Sequence, residues 1–161
     1  MMRTSNKITV LIFSIIVTGC MSTGTGNPSS DDSVDRIIDQ TSYILNQSSR
    51  KDIVILEVPS PENIISEKMT VSALELGARS TAVDYLVKLL AKDNDAVIGV
   101  VGRSPRLNKA TVKSALKGLV NRSSSGTIYF ITDTLYADDL LDIATKVNVT
   151  LIPVRSTQNL K

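Results

Sequence analysis

The sequence predicts an α/β domain built on a four-stranded, mainly parallel sheet with helices on its faces. Three observations carry this. Four short apolar runs rich in β-branched residues occupy residues 53–58, 95–101, 127–131 and 149–154. None of them alternates apolar with polar, which marks strands buried on both faces. Segments with apolar residues at helical spacing precede and separate them, so the order is α-β-α-β-α-β-α-β. That alternation implies a three-layer arrangement of the flavodoxin or Rossmann kind.

The elements can be justified in chain order. Val34, Ile37, Ile38, Thr41, Ile44 and Leu45 form the stripe of a first helix, with Ser33 placed to cap it. The first strand ends at Pro59. Ser60-Pro61 then has the cap-then-proline order of a helix start. From there one long amphipathic stripe runs through Val71, Leu74, Ala78, Ala82, Tyr85, Leu86, Leu89 and Leu90. The second strand ends at Gly102. Ser104 can cap the following helix with Pro105 in its first position, and Leu107, Val112, Ala115, Leu116, Leu119 and Val120 make its stripe. After the third strand, Asp133 fits as the cap of a last helix carrying Ala137, Leu140, Leu141, Ala144 and Val147. Pro153 lacks an N–H, so the fourth strand belongs at an edge. The expected strand order is 2-1-3-4, with Ile55, Val97, Ile98 and Ile131 buried in central strands.

The front of the chain is of a different kind. Residues 1–7 are short and basic, residues 8–17 are apolar except for Thr9 and Ser14, and Thr18, Gly19 and Cys20 follow. This is the layout of a secretory signal peptide. Ten helical residues span about 15 Å, half of a roughly 30 Å hydrocarbon core, so a permanent transmembrane helix is the poorer reading. The stretch Val17-Thr18-Gly19-Cys20 resembles the lipobox of bacterial lipoproteins, with Val17 where that family usually has Leu. The resemblance covers only the first 20 residues. It implies cleavage before Cys20 and acylation of that cysteine by chains such as palmitate. With Met21 rather than Asp next, it implies outer-membrane sorting, facing the periplasm, in a Gram-negative host. Residues 1–19 are thus expected to be the signal peptide, and 20–32 the acylated Cys and a flexible linker. Residues 33–161 form a single domain. The linker, MSTGTGNPSSDD after the Cys, has nothing to bury, and its typical reach is about 20 Å.

Composition narrows the function. Arg3 and Lys7 are the two excess positive charges, so from Cys20 onward 16 basic residues meet 16 acidic ones. Neutrality and the lack of Trp, with only two Phe and four Tyr, disfavour a nucleic-acid partner. The absence of His removes the commonest general base and metal ligand and every Ser-His or Cys-His pair. A single Cys forbids an intrachain disulfide. The sequons at Asn46, Asn121 and Asn148 read as chance on a bacterial route.

In open parallel sheets ligands bind outside the carboxyl ends of the strands. The loops to inspect are Pro59-Ser60, then Gly102-Arg103-Ser104-Pro105-Arg106, then Thr132-Asp133-Thr134, and Arg155. The second is the most suggestive, with a sharp turn, a capped helix and two Arg suited to an anion. The candidate ligand- or partner-binding residues are therefore Gly102, Arg103, Ser104, Arg106, Asp133 and Arg155. The competing reading is a capped turn with solvated arginines, since one Gly does not make a phosphate-binding fingerprint. Lys109, Lys113 and Lys117 lie at i, i+4, i+8 and read as a solvated outer face. Asp133, Asp138 and Asp139 invite a metal, but acids in a helix's first turns serve its positive end equally well. No metal, cofactor or catalytic residue is assigned.

Two functions remain open. One is a membrane-anchored envelope lipoprotein acting as a non-catalytic interaction or assembly module for a protein partner. The other is a small anionic ligand-binding protein or enzyme, with Arg103, Arg106 and Asp133 at the carboxyl edge of the sheet.

Overall fold

The computed structural model describes residues 31–50, 52–92, 95–133 and 138–155. The signal peptide, Cys20 and most of the linker lie outside these residues, as do Thr134 and Ala137. Helix α1 (Asp31–Gln47) leads into strand β1 (Ile53–Val58). Helices α2 (Ile64–Glu75) and α3 (Thr81–Lys92) follow, then β2 (Val97–Gly102), α4 (Pro105–Leu119), β3 (Gly126–Thr132), α5 (Asp138–Lys146) and β4 (Val149–Arg155). The four strands form one sheet in which every neighbouring pair is parallel.

The strand order is 1-2-3-4, not the expected 2-1-3-4. Every crossover moves one strand along in the same direction. Since such crossovers are right-handed, their helices fall on one face. The packing agrees. Ile98, Val100, Ile128 and Phe130 form one core with residues of α2, α3, α4 and α5. The alternate residues Val97, Val101, Tyr129, Ile131 and Val154 form a second core with Ile44 of α1. The leading helix is thus what gives the sheet its third layer.

Several local expectations shift. The first helix starts at Asp31, so Ser33 lies inside it and the linker is shorter by two residues. Of its stripe only Ile44 is fully buried, while Val34, Ile38 and Leu45 are exposed. The long second stripe is two helices, parted at Gly77, whose φ of +98° suits a residue without Cβ. The helix start falls at Asn63, whose side chain accepts a hydrogen bond from the Ser66 N–H, rather than at Ser60-Pro61. Ser104 and Pro105 take their expected places, and Val120 caps α4 from an exposed position. Leu141 of the last helix's stripe is also exposed. Helix α5 is described from Asp138, and residues 134–137, on which a cap by Asp133 would depend, lie outside the described residues. Asn121 and Asn148 adopt left-handed φ of 70° and 55° just past α4 and α5, a conformation Asn tolerates at helix ends.

Pro153 lies on an edge strand, paired with Phe130 of β3 on its one bonded side. Val97, Ile98 and Ile131 are buried in central strands. Ile55 is not, because β1 is the other edge and Ile55 is only half-buried.

Candidate functional site

The carboxyl ends of the strands are Val58, Gly102, Thr132 and Arg155, and they bring the predicted loops to one rim. Gly102 is required there by close packing. A Cβ on it would stand 2.5 Å from Asn108 Oδ1 and 2.9 Å from the Val58 carbonyl. Its N–H donates to Gln40 Oε1 of α1 at 3.1 Å. Asn108 is fully buried and its Nδ2 donates to the Ile131 carbonyl at 3.3 Å. The turn after β2 is therefore stitched to both neighbouring strands and to α1.

Ser104 is buried and acts twice. Its Oγ accepts from the Leu107 N–H at 3.2 Å, which caps α4, and donates to Glu67 Oε1 of α2 at 2.6 Å. A carboxylate of the same chain thus stands at the amino end of α4, the position an anion would take. Arg106 Nε lies 4.0 Å from Asp133 Oδ2, with both side chains largely in solvent. Such a pair is worth little in energy, yet it balances the charge of this corner. Arg103 and Arg155 are exposed at the ends of β2 and β4.

The topology bears on the same rim. In doubly wound sheets the ligand crevice opens where neighbouring connections leave to opposite faces. Order 1-2-3-4 has no such reversal. A cavity of about 340 Å³ lies elsewhere, on the outer side of α3 beside the segment after α4. Arg79, Asp84, Val87, Lys88, Ala91 and Arg122 line it, and Arg79 Nε is 3.4 Å from Asp84 Oδ1.

The lysine stripe on α4 is less free than its spacing implied. Lys113 bonds to Asp139 of α5, and Lys117 Nζ donates to the Glu75 carbonyl at the end of α2, 3.1 Å away. These two residues tie α4 to its neighbours. Lys113 also holds the Asp139 carboxyl below its ordinary pKa through their hydrogen bond. Asp139 is thus engaged by a lysine and Asp133 faces an arginine. Among the described residues no three Asp, Glu, His or Cys side chains gather as a metal site.

The most conspicuous surface is on α2. Ile64, Ile65, Met69 and Leu76 are 68%, 70%, 69% and 90% exposed. Ile65 and Met69 follow at i, i+4 on the face opposite the buried Leu74, and the capping residue Leu76, just past the helix, continues that face. Polar and apolar residues are intermixed around this helix, so no periodicity marked these exposed residues in the sequence. Gln40, Glu67 and Asn108 were also missed as rim residues. Gln40 and Asn108 did leave a signal: each is a polar residue at a position where the helical stripe calls for an apolar one.

No protein-family model matches the chain, and no curated protein or solved structure does either.

Proposed function

We propose that this protein is a lipid-anchored envelope module that docks a protein partner and performs no chemistry of its own. The observation that carries the reading is the exposed apolar stripe of α2, Ile65, Met69 and Leu76 with Ile64 beside it. Large apolar side chains exposed together on one helix face are what an interaction site offers a partner. Arg103 and Arg106 at the nearby rim would form the polar border that surrounds an apolar interface centre. The anchor rests on the lipobox-like Val17–Cys20, outside the described residues. No helix among the described residues is long and apolar enough to cross a membrane. The anionic-ligand alternative has less support. The amino end of α4 already holds Glu67, and Arg106 faces Asp133.

Affinity capture from membranes, with intact lipoprotein as bait, tests the reading. A partner held by wild type should be lost with Ile65→Lys, Met69→Lys and weakened with Arg103→Ala, Arg106→Ala. Loss with the arginines alone, and full retention with the α2 variant, would return the working surface to the rim. The anchor has its own test. Cys20→Ser should stay unprocessed and unlabelled by palmitate, and equal labelling of mutant and wild type would refute lipidation. Stable anchoring needs more than one acyl chain or a second signal, at about 0.8 kcal/mol per buried CH₂.

A further inference from the structure

We infer that two copies of this chain join through the free edge of β1, antiparallel, into one eight-stranded sheet, with their α1 helices packed side by side across the joint. This is independent of partner docking on α2.

The two edges of the sheet differ. β4 carries Pro153, which spoils a hydrogen-bonding edge, whereas β1 reads IVILEV with no proline, lysine or glycine. An apolar, regular edge strand is a template for a further strand. Among the described residues β1 pairs with β2 on one side only.

Helix α1 adds a second observation. Val34, Ile38 and Leu45 are 56%, 55% and 39% exposed, and with the half-buried Thr41 they follow at i, i+4, i+7, i+11. That is the seam spacing of paired helices. Its placement can be worked out. Gln40 bonds to Gly102 at the carboxyl end of β2, and Ile44 meets Gly99 in the middle. Arg50, just after the helix, reaches the Asp95 carbonyl ahead of β2. α1 therefore runs antiparallel to the strands, and it lies over β1 and β2. Ile37, Gln40 and Ile44 are its sheet-facing arc. With the strand order running away from β1 through right-handed crossovers, the seam lies a quarter-turn further round this right-handed helix. That turns it outward, over the free edge of β1.

A two-fold axis beside the middle of β1, on its free side and normal to the sheet, satisfies both surfaces at once. It pairs β1 with β1 at the usual strand spacing of about 4.8 Å. It also leaves both α1 helices on the same face, antiparallel, seam to seam, at roughly the 10 Å at which helices pack. The acids Asp35 and Asp39 in the first half of α1 then stand at opposite ends of the pair, where a parallel pairing would set them against each other. A six-residue strand pair and a 17-residue helix pair bury on the order of 1,000 Å², the lower limit for a specific interface.

The axis predicts which residues meet. Ile44 lies level with Gly99, the partner of Ile55, so the centre of β1 is level with the Thr41–Leu45 turn. Leu45 of one copy then adjoins Thr41 and Leu45 of the other, while the two Val34 stand roughly 30 Å apart at 1.5 Å per residue. Full-length protein in detergent is oxidised with a single added cysteine. Leu45→Cys should give a disulfide-linked dimer, and Val34→Cys should not exceed wild type. Ile38→Lys, Leu45→Lys should move the mass in solution from dimer to monomer with the far-ultraviolet circular dichroism of wild type, and β1 amides should lose protection from hydrogen exchange. Linkage at Val34 instead would establish a parallel helix pair and overturn the proposal. A monomeric mass for wild type would overturn it outright. Should the lysine variant fail to fold, the two cysteine variants and the wild-type mass still decide.

Discussion

At the scale of single residues, space and charge can be separated. Gly102 has no room for a methyl group between Asn108 and the backbone of β1. Gly102→Ala should therefore cost about 1–3 kcal/mol, as overpacking of a tight site does. A urea titration checks this, and an unchanged midpoint would show that Asn108 gives way freely. Asp139 is the charge case. The hydrogen bond from Lys113 lowers its pKa below 3.8, with burial opposing. A carboxyl depressed in the folded state contributes stability above its unfolded pKa and loses it as the pH falls through the folded value. Half of the Asp139 side chain is in solvent, so screening keeps the contribution small. Asp139→Asn should lower stability slightly at neutral pH and flatten the acid limb as the pH falls through and below the ordinary carboxylate range, measured by denaturation at each pH. An acid limb as steep as wild type would assign the loss to other carboxyls.

At the scale of elements, α4 is the member that everything else leans on. It contacts α2, α3, α5 and the three strands β1, β2 and β3. Its cap does double duty through Ser104. Ser104→Ala should cost about 1 kcal/mol for the lost cap. It also leaves Glu67 without its hydroxyl partner at a half-buried position. Glu67→Gln keeps the cap, so it should cost less than Ser104→Ala in the same thermal denaturation. The reverse ranking would mean that the carboxylate, not the cap, holds this corner. The break between α2 and α3 is likewise local. Nothing stands within 4 Å of a Cβ on Gly77, but its φ of +98° disfavours one, so Gly77→Ala should destabilise by about 1 kcal/mol through backbone strain alone.

At the scale of the whole molecule, the strand order decides where side chains matter. Ile98 is fully buried on β2 against the helical layer, and Ile98→Ala should cost on the order of 2–5 kcal/mol. Ile55, half-buried on edge strand β1, should cost clearly less in the same denaturation series. Equal costs would show that Ile55 is packed in solution as tightly as a residue of a central strand; the pairing of two copies, which adds backbone bonds along β1, does not require that. The single direction of winding also leaves α1 as the helix of the second face. Removing α1 should therefore expose Val97, Val101 and Tyr129, and an apolar-surface dye should report it.

The sequence by itself determined the number and kind of strands, the parallel layering, the α4 cap at Ser104-Pro105 and the edge position of Pro153. Each of these follows from local chemistry: β-branched runs, a side-chain acceptor before a helix, an imide without an N–H. It also laid out the candidate rim, because the ends of apolar runs are visible in one dimension. Only the tertiary structure decided the order 1-2-3-4, since crossover length does not record which neighbour a strand chooses. Only it showed Glu67 at the start of α4, 37 residues from Ser104 in the chain. The exposed faces of α1 and α2 were hidden for the same reason. An apolar residue looks alike in sequence whether a neighbour covers it or not, and covering is a property of packing.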